Sequence, residues 1–435
     1  GKTTSTTILI QTIQEYGEGV NVASPTGKAA RRATEVTGHE ATTVHSLVKA
    51  APGGPAGKTK NDPLEHGAYI IDEAGMLATD VAWMLLQPIP VGSFVCFVGD
   101  PNQLKPVGPG KVFDSVIDAA LRIAEERRGE ENSEEIVVRR LTKVFRMLAN
   151  ESSGHRGLLD ACYAILEKLD PTEDHPRHPN EHWRRGLPFN EEFVQVETTN
   201  IISIRRKVTE LFTGFIGDAL ERIESLTGKD YIEARIRITQ AAPPVLICCY
   251  GSAKEEDAGV NDINQIVQEI INPRNPKLEE QKVKNVTYRV GDRILWLRTT
   301  DVGTTDKPYK FVNGEVLYLV DIKKDEDNDL FFYLRTEAGE VYQVHIDDWA
   351  GDLDYAGTAH KRQGSEYPIV MVILRAGDFL SRRWLYTAIS RAKRKALIFG
   401  RTSLLWNGHD KDNDRRTRLE EYIYESFHVA KEVAA

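Results

Sequence analysis

The chain has 435 residues, enough for two or three domains with substantial cores, and its 41% apolar and 28% charged content is ordinary for a soluble protein. A net charge of −9 excludes a protein that coats nucleic acid by bulk charge, although a local cationic track would still suffice for binding. No apolar run approaches the roughly 18–20 residues of a membrane span.

In chain order, short apolar runs that lead into polar or Gly-rich turns predict buried parallel strands at Val20–Ser24, Ala68–Asp72, Ser93–Gly99, Val245–Tyr250, Pro368–Leu374 and Ala396–Gly400. Helical patterns fall between them at Thr3–Tyr16, Lys28–Val36 and Asn261–Ile271. Strands alternating with helices predict an α/β fold with ligands at the carboxyl ends of the strands. From about 285 to 350 the pattern changes. Arg293–Arg298, Val316–Ile322, Leu330–Thr336 and Val341–Ile346 are short β-rich segments joined by Asn313-Gly314, Asp327–Asp329 and Ala338-Gly339, which predicts a small antiparallel barrel inserted into the second α/β domain. The stretch from 170 to 240 is mixed: Pro171–Pro188 is polar and proline-rich, and Ile204–Ile232 is helical in pattern. Trp296 and Trp349 are expected in the core rather than on a base-stacking platform.

Cationic residues are concentrated locally. Ser381 to Leu405 holds seven Lys/Arg and no acid, and Asn21 to Thr34 carries Lys28, Arg31 and Arg32 without an acid. Cys96, Cys162, Cys248 and Cys249 lack metal-ligand spacing, which suits reduced thiols and a cytoplasmic location.

Several segments carry chemistry. Gly1-Lys2-Thr3-Thr4 ahead of an apolar helix matches the last part of a phosphate-binding loop, in which backbone N–H groups hold phosphates, the lysine reaches the β/γ-phosphates and the next hydroxyl binds Mg²⁺. Asp72 and Glu73 sit where a buried strand ends, so one acid can hold Mg²⁺ through water and the other can orient the attacking water. Gln103, on the loop after the next strand, can sense the γ-phosphate and that water. Arg146 and Arg391 are candidates to reach a γ-phosphate and stabilise transition-state charge. For a polymer substrate, Pro25, Thr26, Lys28, Thr43 and His45 after the second strand, with Thr358 and His360 from the second domain, can grip backbone phosphates.

These segments resemble, in order and over nearly the whole chain, the RecD-like branch of superfamily 1 DNA helicases, related to the helicase modules of TraA-type relaxases. The resemblance rests on Ala23–Ala30, Ile71–Ala74, Gly99–Gly110, Val144–Arg146, Asn264–Pro273, Asn313–Glu315, His360–Glu366 and Leu385–Lys393. It implies two RecA-like P-loop NTPase motor domains with ATP and Mg²⁺ between them, single-stranded DNA and duplex junctions as substrate, and 5′-to-3′ translocation by a monomeric motor. The first domain would occupy 1–140, with a pin-like insertion at 49–66. The second would occupy 141–284 plus 351–435, with an insertion at 170–240, and an SH3-like β-barrel would occupy 285–350. By resemblance, Gly1, Lys2, Thr3, Thr4, Asp72, Gln363, Gly364 and Glu366 bind the nucleotide, with Thr3 and Asp72 on the metal. Glu73, Gln103, Arg146 and Arg391 act in catalysis, and Pro106, Asn264 and Asn313 join the DNA contacts.

The departures from the pattern are specific. The strand and Gly-rich half of the loop expected before Gly1 are absent from the sequence, as are the upstream Gln contact to adenine and any N-terminal domain, and the partners expected beyond DNA are partner proteins or that missing domain. Gly75 and Arg362 each replace a usual Ser, and Lys105-Pro106 replaces Pro-Ser, so Lys105 and Arg362 are expected to add phosphate contacts. A catalytically impaired nucleic-acid-binding fragment and an RNA helicase of the same superfamily are the alternatives. A simple P-loop kinase would not need His360–Glu366 or Arg391.

Overall fold

A computed structural model describes residues 2–51, 54–127, 137–141, 157–167, 192–223, 225–247, 258–302, 308–375, 380–401, 404 and 417–434. Gly1, Arg146 and Pro171–Pro188, all singled out above, lie outside the described residues. The chain forms two compact units, Gly1–Ser152 with Asp412–Ala435, and Ser153–Lys411.

The first unit is built from α1 (Lys2–Glu15), β1 (Val20–Ser24), α2 (Gly27–Thr37), β2 (Ala41–Thr43), α3 (Val44–Leu47), β3 (Ala68–Ile71), α4 (Thr79–Leu86), β4 (Phe94–Phe97) and α5 (Val112–Glu126). Its sheet has the order β2-β1-β3-β4 and is parallel throughout. All four residues of β3, Ala-Tyr-Ile-Ile, are buried, as expected for a strand covered on both faces. The ends of α2 are set locally. Thr26 caps it by accepting from Ala29 N at 3.3 Å, and Gly38 ends it in the left-handed region, its N–H donating to Thr34 O. The buried face of α2 consists of Ala29, Ala30 and Ala33, small enough to let the helix lie close to the sheet.

The C-terminal helix Leu419–Ala434 packs on α5 of this first unit. Arg122 stacks 3.5 Å over the Tyr424 ring, the Tyr424 hydroxyl bonds Glu126, and Leu419 packs against the first-unit core. The expected second domain, 351–435, therefore loses its last segment to the first unit.

The second unit contains α6 (Gly157–Glu167), β5 (Phe193–Val196), α7 (Ile201–Ile223), α8 (Gly228–Ala241), β6 (Val245–Ile247), α9 (Val260–Ile271), the hairpin β7 (Glu280–Val283) and β8 (Val286–Arg289), then β9 (Arg293–Trp296), β10 (Thr300–Asp301) and β11 (Lys310–Phe311). It continues with β12 (Val316–Lys324), β13 (Leu330–Thr336), β14 (Val341–His345), β15 (Gly351–Leu353), β16 (Ala356–Gly357), β17 (Tyr367–Ile373), α10 (Arg382–Ile389) and β18 (Ala392–Phe399). Two sheets result. One is parallel, β16-β6-β17-β18-β5. The other is antiparallel, β14-β13-β12-β9-β15, and forms the insert.

A single hydrophobic core runs through both sheets, from Val245, Ile263 and Ile373 to Trp296, Leu317, Phe332 and Val344. Trp296 is fully buried, edge-to-face with Phe311 at 5.3 Å, and its indole N–H donates to Thr300 Oγ1 at 3.1 Å. It is a core residue, as its apolar setting predicts.

Candidate functional site

In the first unit the parallel register brings three loops to one edge of the sheet. Asp72 N donates to Ala23 O (2.9 Å), Val98 N to Ile71 O (2.8 Å) and Ala74 N to Val98 O (2.9 Å), so the chain leaves β1, β3 and β4 side by side. Asp72 and Glu73 follow β3 directly. Glu73 adopts φ of +52°, the left-handed region that non-glycine residues seldom enter. That turn lets the Glu73 N–H donate to Asp72 Oδ1 at 2.9 Å.

Burial, and then the charge of Glu73, push the Asp72 carboxyl above its ordinary range, while the Glu73 N–H and the Lys2 ammonium pull it back. Lys2 opens α1 and so stands within electrostatic reach of this acid pair. Thr3 and Thr4 lie in the same first turn, with Thr4 exposed. Gln103 is buried, its Nε2 donating to Asp100 Oδ2 at 3.2 Å, and Asp100 Oδ1 also accepts Asn102 N at 3.0 Å. These bonds aim the amide by fixing the loop after β4.

Gly75 has a physical reason. A Cβ there would stand 3.2 Å from Asp100 O, so glycine lets the 72–76 turn close on the loop after β4. Gly110 has a stronger one: φ is +84° and a Cβ would meet Thr79 Oγ1 at 1.9 Å.

A magnesium ion carried with a nucleotide needs only one or two protein carboxylates besides phosphate oxygens. Asp72, raised by burial beside Glu73, fits that donor set. Among the described residues no group of three or more His/Cys/Asp/Glu forms a closed metal cage.

The expected polymer contacts divide. Thr26 is the α2 cap. Thr43 caps α3, accepting from Ser46 N at 3.0 Å, and leaves His45 exposed. Pro106 is buried, whereas Asn313 is exposed in the turn before β12. Thr358 and His360 are half-buried after β16, where Thr358 Oγ1 accepts Lys361 N at 3.4 Å. Asn264, expected on DNA, acts as a structural clamp. It is buried in α9, its Oδ1 accepts from Tyr355 N (2.9 Å) and Ala356 N (2.8 Å), and its Nδ2 donates to Ala356 O (3.1 Å). Both lone pairs of its Oδ1 and one Nδ2 N–H are thereby engaged inside the fold.

In the second unit the groups expected on the nucleotide cluster at the amino ends of strands, not at the carboxyl ends as the α/β rule predicts. Gln363, Gly364 and Glu366 precede β17, and Arg391 precedes β18. Arg391 is buried, donating from Nε to Thr387 O (3.0 Å), from Nη1 to Ser365 O (3.2 Å) and from Nη2 to Ser390 Oγ (3.2 Å). Glu366 pairs with Lys393 at 3.2 Å.

The two extra phosphate contacts expected from Lys105 and Arg362 are ruled out by the partners these side chains have. Lys105 is ion-paired with Asp114. Arg362 is about 1% exposed and held by Asp354. Both cations are spent on internal carboxylates.

Sequence reasoning missed the polar network under the insert. Asp292 is fully buried and accepts from Gln268 Nε2 (2.6 Å), Asn272 Nδ2 (2.7 Å), Arg289 N (2.7 Å) and Tyr355 Oη (2.9 Å). Its signal was an acid embedded in an apolar strand run, Val290-Gly-Asp-Arg-Ile-Leu-Trp296, where burial demands partners.

The family described as an AAA domain matches residues 1–150, and the UvrD-like helicase C-terminal domain family matches residues 354–399. The ATP-dependent RecD2 DNA helicase of Deinococcus radiodurans is 25% identical over 407 residues, 93% of this chain and 46% of that protein. The RecBCD enzyme subunit RecD of Mycolicibacterium smegmatis is 25% identical over 431 residues, 92% of this chain and 66% of that protein. Among solved structures, Pif1 helicase from Candida albicans has a TM-score of 0.48 at 14% identity, covering 98% of this chain and 93% of that one. The chain thus spans less than half of the Deinococcus relative. No helix among the described residues is long and apolar enough to cross a membrane. Over more than 90% of its residues the chain is thus similar to the RecD2 DNA helicase and to the RecBCD subunit RecD.

Proposed function

We propose that the protein carrying this chain is an ATP-dependent DNA helicase or translocase that moves 5′ to 3′ on single-stranded DNA and opens duplex junctions. The observation that carries this reading is the strand-end assembly of Lys2, Asp72, Glu73 and Gln103 on one edge of the first sheet. Lys2 and the first turn of α1 hold the β/γ-phosphates, and Asp72 holds Mg²⁺ with Thr3. Glu73 orients or deprotonates the attacking water, and Gln103 reports the γ-phosphate. Arg391 and Arg146 are the candidates to neutralise transition-state charge. Arg391 is oriented for this by its hydrogen bonds to Thr387 O, Ser365 O and Ser390 Oγ.

The antiparallel insert is, on this reading, the SH3-like subdomain of such motors, and DNA is gripped through Thr26, Lys28, His45, Asn313, Thr358 and His360. Opening DNA costs about 1.4 kcal/mol per base-pair step on average, a small load for one nucleotide hydrolysed. The chain's spans of its relatives leave room for further domains that select partners and pathway.

The test is ATP turnover by the intact protein with and without single-stranded DNA, alongside unwinding of forks with either a 5′ or a 3′ tail. Turnover stimulated by DNA, unwinding that requires the 5′ tail, and loss of both in Lys2→Ala and Glu73→Ala are expected. Normal turnover in either variant, or stimulation by RNA in preference to DNA, would overturn the assignment.

A further inference from the structure

Asp354 sits between β15 and β16, on the chain joining the antiparallel insert to the parallel sheet, and it is about 1% exposed. Two buried arginines converge on it from opposite sides. From the insert, Arg293 Nε donates to Asp354 O at 2.9 Å and lies 3.6 Å from Oδ2, while Asp354 N donates back to Arg293 O at 2.9 Å. From the loop before β17, Arg362 Nη1 donates to Asp354 Oδ2 at 2.8 Å, its Nη2 donates to Asp354 O at 2.8 Å, and Nη2 stands 2.5 Å from Oδ1. Arg362 Nη1 also donates to the Tyr367 hydroxyl at 3.0 Å, at the first residue of β17.

This fork-shaped grip fixes the orientation of a guanidinium, which a single contact would not do. The residues after Arg362 inherit that orientation. Ser365 N donates to Arg362 O at 3.1 Å, and Ser365 O accepts Arg391 Nη1 at 3.2 Å. Only Arg362 and the Gln363–Ser365 turn therefore separate the insert's anchoring carboxylate from Arg391. A cation and an anion this deeply buried are costly unless each is paired, so the loop has one well-determined position while Asp354 is intact.

We infer that Asp354 is a positioning residue that, through Arg362, ties the Gln363–Glu366 loop and Arg391 to the base of the antiparallel insert. This rests on the function proposed above, in which the insert touches DNA, and on the expected nucleotide contacts of Gln363, Gly364 and Glu366. Under it, the Asp354–Arg362 pair transmits the presence of DNA to the hydrolytic groups.

The test uses the intact protein with Asp354→Asn/Arg362→Gln, a neutral pair that leaves hydrogen-bonding partners on both sides, and Arg362→Lys, which keeps the charge but loses the fork. Two readouts are taken. Amide hydrogen exchange across 358–366 should quicken at least tenfold in the double variant and by less in Arg362→Lys, with β17 unchanged. DNA-stimulated kcat should fall about tenfold or more in the double variant, and by a larger factor than basal turnover. Unchanged exchange across 358–366, or stimulated and basal rates falling in step, would overturn the inference. A parent protein whose turnover ignores DNA would refute the motor reading instead, and the exchange measurement would then decide the positioning role by itself.

Discussion

At the scale of single residues, the chain places its charges where burial makes them consequential. Asp292 has no exposure to solvent, and desolvation pushes its carboxyl from 3.8 up to about 6 even though four donors favour the ionised form. The folded state therefore holds a proton on Asp292 through a window in which the unfolded chain has already released it. With more protons bound to the native state, stability falls as pH rises from about 4 to about 6, and below the unfolded pKa the contribution is fully present. A shift of this size corresponds to an upper bound of about 3 kcal/mol at 1.36 kcal/mol per pKa unit. Asp292→Asn removes the titration, and it also turns an amide donor toward Gln268 and Asn272, so the variant should be less stable overall. The expected signature is a wild-type advantage that shrinks between pH 4 and pH 7, measured by urea unfolding with amide exchange in β9 as the probe. An advantage constant across that range would mean that Asp292 stays ionised throughout. The same scale explains why Arg362 and Lys105 read wrongly in sequence. A cation beside a phosphate motif looks available until the carboxylates that claim it, Asp354 and Asp114, are brought in by the fold.

At the scale of elements, the parallel strands were legible because each is an apolar run with a polar stop. The expected Val20–Ser24 matches β1, Ala68–Asp72 overshoots β3 by one residue, and Pro368–Leu374 is β17 shifted by one. The misses have local causes. β18 begins at Ala392, four residues before its expected start, because Lys393, Arg394 and Lys395 open the strand and a charged run carries no apolar signal. β2 and β16 are three and two residues long, too short for any periodicity. β16 owes its place to Asn264, whose side chain holds the Tyr355 and Ala356 amides and the Ala356 carbonyl. That contact is 91–92 residues distant in sequence, so no local pattern could announce it. Asn264→Ala strands two buried N–H groups and a carbonyl and should cost about 2–4 kcal/mol. Asn264→Asp keeps the acceptor and should cost less. Urea denaturation checks both. If Asn264 instead contacts DNA, the Ala variant would lose single-stranded DNA affinity with its unfolding midpoint unchanged.

At the scale of the whole molecule, the proposed function requires an acidic protein to bind a polyanion through a minority of its cations. The stretch from Ser381 to Leu405 looked like a track of seven, but the structure commits several of them. Arg391 is buried on Thr387, Ser365 and Ser390, and Arg401 donates to Thr199 O at 2.9 Å. Lys393 and Arg394 are exposed at the start of β18, and Lys393 makes a partly exposed pair with Glu366. Single-stranded binding falls with salt at a log–log slope of about −0.7 per phosphate neutralised. With about three to five cations engaged over both units, the slope should lie near −2 to −3.5. Lys393→Ala/Arg394→Ala should flatten it by about 1.4 if both residues neutralise phosphates, and by about half that if Glu366 retains Lys393. Fluorescence anisotropy of a labelled oligonucleotide between about 50 and 200 mM salt reads the slope directly. An unchanged slope in the double variant would place the track on other cations, with Lys28, Arg31 and Arg32 on the α2 side of the first unit as the next set to replace.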